Sequence, residues 1–354
     1  MSELQLRGHW RTALTHMTMI GLAAILEEAS VADVRVGWTR GLDLRPVVWT
    51  AGVDFDGAAD IVHRHALQRA TEASWLGAVL NVHGRPAGLM SPRIAPPEDR
   101  TAWQRLADGR AVQIDALIAA RARLDLMLVG ALGAPSYWHQ ARAGDPRPDQ
   151  GASRWEMKTR NRGEDFIRHR LLPIAHHVAG RDAASIRQGL EGMVTLDVSG
   201  DNLESRTATG LAGPGLTDTA AAWCGLWAIS QFPVVPLLGE PSRTAGQVSP
   251  PRGSGRLRGW LCVPMSGWPM TLPRLRSVIV SGAPERIVRR HLASDRPGAA
   301  DLEAAVDRDW LRRRGVGGIA YFGVQASDNP NAPELRTLDG VVLPLEEPHA
   351  EQPT

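Results

Sequence analysis

Lysine is almost missing from this chain. Of its forty basic residues, thirty-nine are arginine and one, Lys158, is lysine. Arginine-biased coding explains part of this skew. Still, a lysine is a compact charge with an adjustable pKa and an arginine is a planar, permanently charged fork, so the two are not interchangeable. Cysteine is nearly as scarce, with only Cys224 and Cys262. Two thiols make neither a disulfide framework nor a cysteine-ligated zinc cluster, and their scarcity suits a reducing cytoplasm. Four Phe and two Tyr stand against twelve Trp. Tryptophan pairs a large apolar face with one N–H donor, which fits cores, interfaces and base stacking alike. The N-terminal residues 1–7 lack the basic flank and apolar run of a secretory signal.

Long apolar runs are also lacking. The longest stretch without charge, 219–239, approaches the roughly 20 residues of a membrane span. Pro233 and Pro236 break it, and Ser230-Gln231 interrupts its apolar part. A buried helix over 218–231 leading into an extended segment is expected instead, and no membrane association.

At 354 residues, with 43% hydrophobic and 22% charged residues, the chain is that of a soluble globular protein, long for one ordinary domain. Apolar residues at helical spacing predict helices over 12–29, 57–80, 101–128, 163–178, 182–190 and 299–314, with Pro173 kinking the fourth. Val- and Trp-rich runs predict strands over 31–39, 45–53, 193–198, 257–264, 318–324 and 338–345. The segment 272–280 reads as mixed. This irregular alternation predicts a helix-rich α+β fold with a mixed or antiparallel sheet. Its expected regions are an N-terminal α+β part (1–139) and a central basic motif with the buried helix (140–239). A Pro/Gly linker (240–256), a basic C-terminal α+β part (257–346) and a disordered tail (347–354) follow.

Net charge is only +2, yet residues 252–290 hold eight arginines and one acid, Glu285. Localised positive charge is the footprint of a polyanion partner. Trp260 and Trp268 interleave with Arg252, Arg256, Arg258, Arg274 and Arg276, a pairing of phosphate forks with stacking faces. A solvated arginine face over core tryptophans would read the same way. Arg308, Arg312, Arg313 and Arg314 form a second cluster, partly offset by Asp307 and Asp309.

Around Lys158, Glu156-Met157-Lys158 has the form of an acid-x-lysine nuclease half-motif. There, two carboxylates hold Mg²⁺ and the lysine activates water. Asp149 is the candidate second carboxylate, but a Pro-rich loop presents it rather than a strand, and Glu164 or Asp165 could substitute only from a following helix. Arg154, Lys158, Arg160 and Arg162 alternate, so an extended chain would put them on one face as a nucleic-acid contact. The expected site is therefore non-catalytic, with Asp149, Glu156 and Lys158 as the nuclease alternative and Mg²⁺ as cofactor only in that case; a structural adaptor whose tryptophans form protein interfaces is the other alternative. Otherwise no cofactor is expected. The glycines of 206–218 lead into a helix without Gly-Lys-Ser/Thr, so they are not a P-loop, and Thr217 is an adequate N-cap. The pairs His63/His65 and His176/His177 lack zinc-ligand spacing, and no metal site is expected.

Several stretches together carry a family resemblance. They are 16–27 (HMTMIGLAAILE), 153–163, 205–211 and 222–227 (AWCGLW) with Phe232-Pro233. The chain resembles a large-subunit-like or accessory component of CRISPR type I-G (formerly I-U) interference complexes. The resemblance implies a cytoplasmic antiviral-defence protein that works with crRNA, target DNA and other effector subunits. It also implies binding to nucleic acid rather than cutting it. At 354 residues the chain is small for a full large subunit.

Overall fold

The computed structural model describes residues 1–41, 43–134, 139–140, 146–147, 151–157, 165–197, 208–237, 240–251, 255–293, 302–328 and 334–345. The centre of the fold is helix α1 (Ala13–Glu28), in which every residue from Ala13 to Leu26 is buried. A helix that is apolar all round has no solvent face to offer and takes the middle of the core. Strand β1 (Ser2–Gln5) precedes it, and β2 (Ala32–Trp38) and β3 (Pro46–Ala51) follow. These form an antiparallel sheet in the order β1-β3-β2. Helix α2 (Phe55–Arg69) begins at Asp54, whose carboxylate accepts the Gly57 N–H at 2.9 Å.

The expected helix over 57–80 ends at Arg69, and its last residues belong to strand β4 (Val79–Val82), paired with β5 (Arg85–Gly88). His83 and Gly84 both take positive φ, 51° and 70°. Two such residues make the tight turn whose twist suits an antiparallel hairpin. The expected helix over 101–128 is two helices, α3 (Arg100–Ala119) and α4 (Arg123–Leu132). The chain breaks between them at Arg121, which has φ 55°. A two-residue ladder joins β6 (His139–Gln140) to β7 (Pro146–Arg147). A wide π turn over Ile167–Leu171 leads into α5 (Leu172–Ala179). Pro173 lacks the N–H that a regular helix would need there, and the widened turn ahead of it absorbs the loss. The expected stripe Ile167, Leu171, Ile174 and Val178 is fully buried. α6 (Ala183–Glu191) follows, but 193–197 form no strand.

Helix α7 (Thr219–Trp227) continues as a tighter turn to Gln231. Residues 219–231 of the charge-free stretch are thus helical and largely buried, and no described helix is long and apolar enough to cross a membrane. Its N-cap is Asp218, not Thr217. The expected linker over 240–256 contains two strands. β8 (Val234–Leu237) pairs with β9 (Glu240–Thr244), and β10 (Gln247–Val248) joins the second sheet. Thr244, Ala245 and Val248 are buried, and the Trp155 indole donates to the Ala245 carbonyl at 2.9 Å. Burial of this kind fixes a segment that its Pro/Gly content alone would leave loose.

The second sheet runs β10-β11-β12-β13, with β14 also on β12. Its axis is the long antiparallel pair β11 (Leu257–Ser266) and β12 (Val316–Ala326), followed by β13 (Leu335–Thr337) and β14 (Val341–Pro344). Between β11 and β12 come three helices, α8 (Leu272–Val280), α9 (Ala283–Ala293) and α10 (Leu302–Arg313). The first corrects the mixed reading of 272–280. Helices with antiparallel sheets make this an α+β fold.

Helices α1 and α7 touch through glycine. A Cβ on Gly21 would lie 1.7 Å from the Cys224 carbonyl oxygen, and one on Gly225 would lie 2.6 Å from Leu14 Cδ1. At Gly21 the obstacle is backbone, so the helices themselves must part. Gly21→Ala is expected to cost about 3 kcal/mol, the upper end for overpacking. Gly130→Ala, in α4 with nothing within 4 Å of its Cβ position, is expected to be neutral or to stabilise by up to about 1 kcal/mol. Urea denaturation of the two variants checks the contrast.

His16 lies inside this core and is 0% exposed. Its Nε2 donates to the Trp10 carbonyl at 2.7 Å, and its ring packs on Trp38 and Phe322. Burial pushes its pKa down to about 4 from 6.5, against a smaller upward pull from that carbonyl. The folded state therefore binds the proton less well than the unfolded state. Stability from a neutral His16 is complete above pH 6.5 and declines as pH falls toward 4. At about 1.36 kcal/mol per pKa unit, the decline is roughly 3 kcal/mol. Denaturation of wild type and His16→Asn at pH 7 and pH 4 should show the variant losing that much less.

The arginine skew has a structural use. Arg69 grips Asp125 through Nε at 3.0 Å and through Nη2, while Trp75 Nε1 donates to the same carboxylate at 2.6 Å. Arg93 Nε lies 2.9 Å from Glu156 Oε2. Arg170 Nη1 donates to the carbonyls of Glu156 and Thr209 at 2.7 and 2.8 Å. Forked donors that stay charged when buried tie several segments at once, which an ammonium does not do as well.

Candidate nucleic-acid interface

One junction between the two sheets sets the position of the basic residues around Trp268. The segment after β11 returns to the edge of β2, where Val36 and Met270 exchange backbone hydrogen bonds of 2.8 and 2.9 Å. Ser266 Oγ also donates to the Val36 carbonyl at 3.3 Å. On the other side, Gly267 N–H donates to the Gly315 carbonyl at 2.9 Å. Trp268 is caught between these two fixings and points outward, 63% exposed. The turn after β2 brings Arg40 over its ring, with the guanidinium carbon 5.1 Å from the ring centroid.

The end of α10 arrives at the same place. Gly315, which follows Arg312, Arg313 and Arg314, lies beside the Trp268 indole. Arg274 Nη2 on α8 sits 3.5 Å from the Arg313 carbonyl. Arg314 stacks on Trp310 at 3.7 Å. Arg40, Arg274, Arg312 and Arg313 are exposed, and Arg314 is half-buried. The carboxylate that pairs within this group is Asp309, which lies 2.8 Å from Arg313 and 3.7 Å from Arg312. The negative end of α10 accounts for part of this charge, because cations favour a helix C-terminus. It does not account for Arg40 or Arg274, which come from other elements. Arginine forks beside an exposed indole match phosphate oxygens and base faces.

Two of the expected contact residues reach the same end of α10, Trp268 beside Gly315 and Arg274 at the Arg313 carbonyl. Others do not. Arg256 and Arg258 are exposed at the opposite end of β11, roughly 25 Å away at about 3.3 Å per strand residue, and Arg256 is paired with Asp328. Trp260 is partly buried against the core, beside Val248 and Gly323. Arg276 is half-buried and donates to the Ser230 carbonyl at 2.7 Å. Burial, and next the charge of Arg123, lower its pKa. It serves the fold.

Arg154 to Glu156 form a single 3₁₀ turn rather than an extended stretch, and Met157 turns left-handed at φ 52°. Alternation onto one face therefore does not begin at Arg154. Glu156 is 0% exposed with Arg93 against its carboxylate, a placement that serves the fold rather than an open metal site. Asp149, Lys158, Arg160, Arg162 and Arg252 lie outside the described residues. Both cysteines are buried, and burial raises both thiol pKa values. No protein-family model matches the chain, and no curated protein matches it.

Proposed function

We propose that this chain is a non-enzymatic nucleic-acid-binding protein whose arginine face around Trp268 holds a sugar–phosphate backbone. One observation carries the reading. Arg40 lies over one exposed indole, Gly315 at the end of α10 lies beside that indole, and Arg274 of α8 reaches the Arg313 carbonyl, with Asp309 as a paired carboxylate among these residues. Charge gathered from distant parts of a chain of net charge +2 is the pattern expected of a polyanion site. The resemblance to type I-G interference components supports crRNA or target DNA as the polyanion and other effector subunits as neighbours.

Equilibrium binding of the purified protein to oligonucleotides tests this reading. Four or five phosphate contacts predict a fall of log K with log salt of slope about −3 to −4.5, with little dependence on base sequence. Failure to bind any nucleic acid at about 50 mM salt, alone or with partner subunits, would overturn it.

A further inference from the structure

We infer that Trp268 is a stacking platform for an unpaired nucleobase, which makes a single strand the preferred ligand of the arginine face. The inference depends on the nucleic-acid reading above and adds the strand state. The backbone around Trp268 is held firmly. Gly267 is bonded to Gly315 on one side and Met270 to Val36 on the other. Pro269 follows directly, and a residue before proline is restricted to extended conformations. A fixed backbone that presents a 63% exposed indole is not a loose loop whose side chain has missed the core. Its neighbour Trp260, on the same strand-and-turn segment, is packed inward.

Arg40 occupies one face of the ring, with the guanidinium carbon 5.1 Å from the centroid. With Arg40 on the ring and Gly315 beside it, Trp268 still keeps 63% of its surface exposed, area that a flat partner can cover. Arg40, Arg274 and Arg313 around it supply forks for the flanking phosphates. A nucleobase offers a π-face of the right size and polarity, and stacking is indifferent to its identity. In a duplex those faces are covered by neighbouring bases, so only an unpaired base can reach the indole.

The test compares wild type, Trp268→Ala and Trp268→Phe for affinity to a single-stranded oligonucleotide and to the duplex of the same sequence, at one salt concentration. Trp268→Ala is expected to weaken single-strand binding by about 5- to 150-fold, the equivalent of about 1–3 kcal/mol per stacked base. Trp268→Phe should keep most of the affinity. Duplex affinity and the salt slope should not change. Thermal melting should confirm that the exposed position leaves the fold intact. Single-strand affinity within two-fold of wild type in Trp268→Ala overturns the inference, as does an equal loss for duplex. An unchanged affinity with loss of binding to a partner subunit would assign the indole to a protein and also overturns it. If wild type binds with the expected salt slope and only the Trp268 contrast fails, the nucleic-acid reading stands. If wild type binds nothing, both fall.

Discussion

Asp218→Ala is expected to cost about 3–5 kcal/mol of folding stability, because it strands a buried arginine. Arg181 Nη1 lies 3.0 and 3.1 Å from the two Asp218 oxygens, and both residues are less than 9% exposed. The same carboxylate accepts the Ala220 N–H at 2.8 Å, capping α7, and the Leu196 N–H at 3.0 Å. Alanine removes the counter-charge, the cap and the Leu196 acceptor together. Helix α7 lies against α1, so the damage reaches the centre of the fold. Asp218→Asn keeps one oxygen to cap the helix but loses the charge, and should cost about half as much. In a double-mutant cycle, adding Arg181→Ala to Asp218→Ala should cost clearly less than the sum of the two single changes, since the stranded cation is gone. Urea denaturation of wild type and the four variants reads these costs. A cost below about 1 kcal/mol for Asp218→Ala would mean that the pair is solvated rather than buried.

The second large effect is on binding. Replacing Arg40, Arg274, Arg313 and Arg314 together by alanine is expected to lower nucleic-acid affinity at least 100-fold at moderate salt, and equally for unrelated sequences. Arg256→Ala with Arg258→Ala removes two arginines from the other end of β11. It should lower affinity by less than about three-fold, since Arg256 is already paired with Asp328 and surface ion pairs contribute little. Equal losses in the two variants would show that net charge, and not this face, governs binding. Fluorescence anisotropy with labelled oligonucleotides checks both.

Much of the core was legible in the sequence because its signals are local and strong. Helix α1 follows from unbroken apolar spacing, and the buried helix at 219–227 from the longest charge-free run. Pro173 signalled an irregularity in its helix, expected as a kink and found as a π turn ahead of the proline. What failed to show has equally physical reasons. The His83-Gly84 turn needs positive φ at both residues, and only the glycine advertises it. The strands at 240–248 have the composition of a linker and become strands through partners such as Trp155. Arg121 ends a helix by a backbone turn that no proline or glycine marks.

The site was half legible. Composition drew attention to residues 252–290, but Trp260 and Trp268 look alike in a sequence and differ only in burial. Arg256 and Arg274 look alike too, yet β11 carries them to opposite ends. Arg40 is more than two hundred residues from Trp268 in the sequence, and the junction of Val36 with Met270 and Ser266 brings them together. Lys158, the conspicuous singleton, pointed to a motif whose acid is buried against Arg93. The arginines that replace lysine elsewhere are the more informative feature, since several hold the core and others gather on one face.

The most direct measurement is the salt dependence of oligonucleotide binding by wild type and by the variant lacking Arg40, Arg274, Arg313 and Arg314. Loss of four phosphate contacts predicts a shallower slope of log K against log salt, by about 3 for a single strand. The Arg256/Arg258 variant should keep the wild-type slope. Identical slopes for wild type and the four-arginine variant would contradict the assignment of this face to nucleic acid.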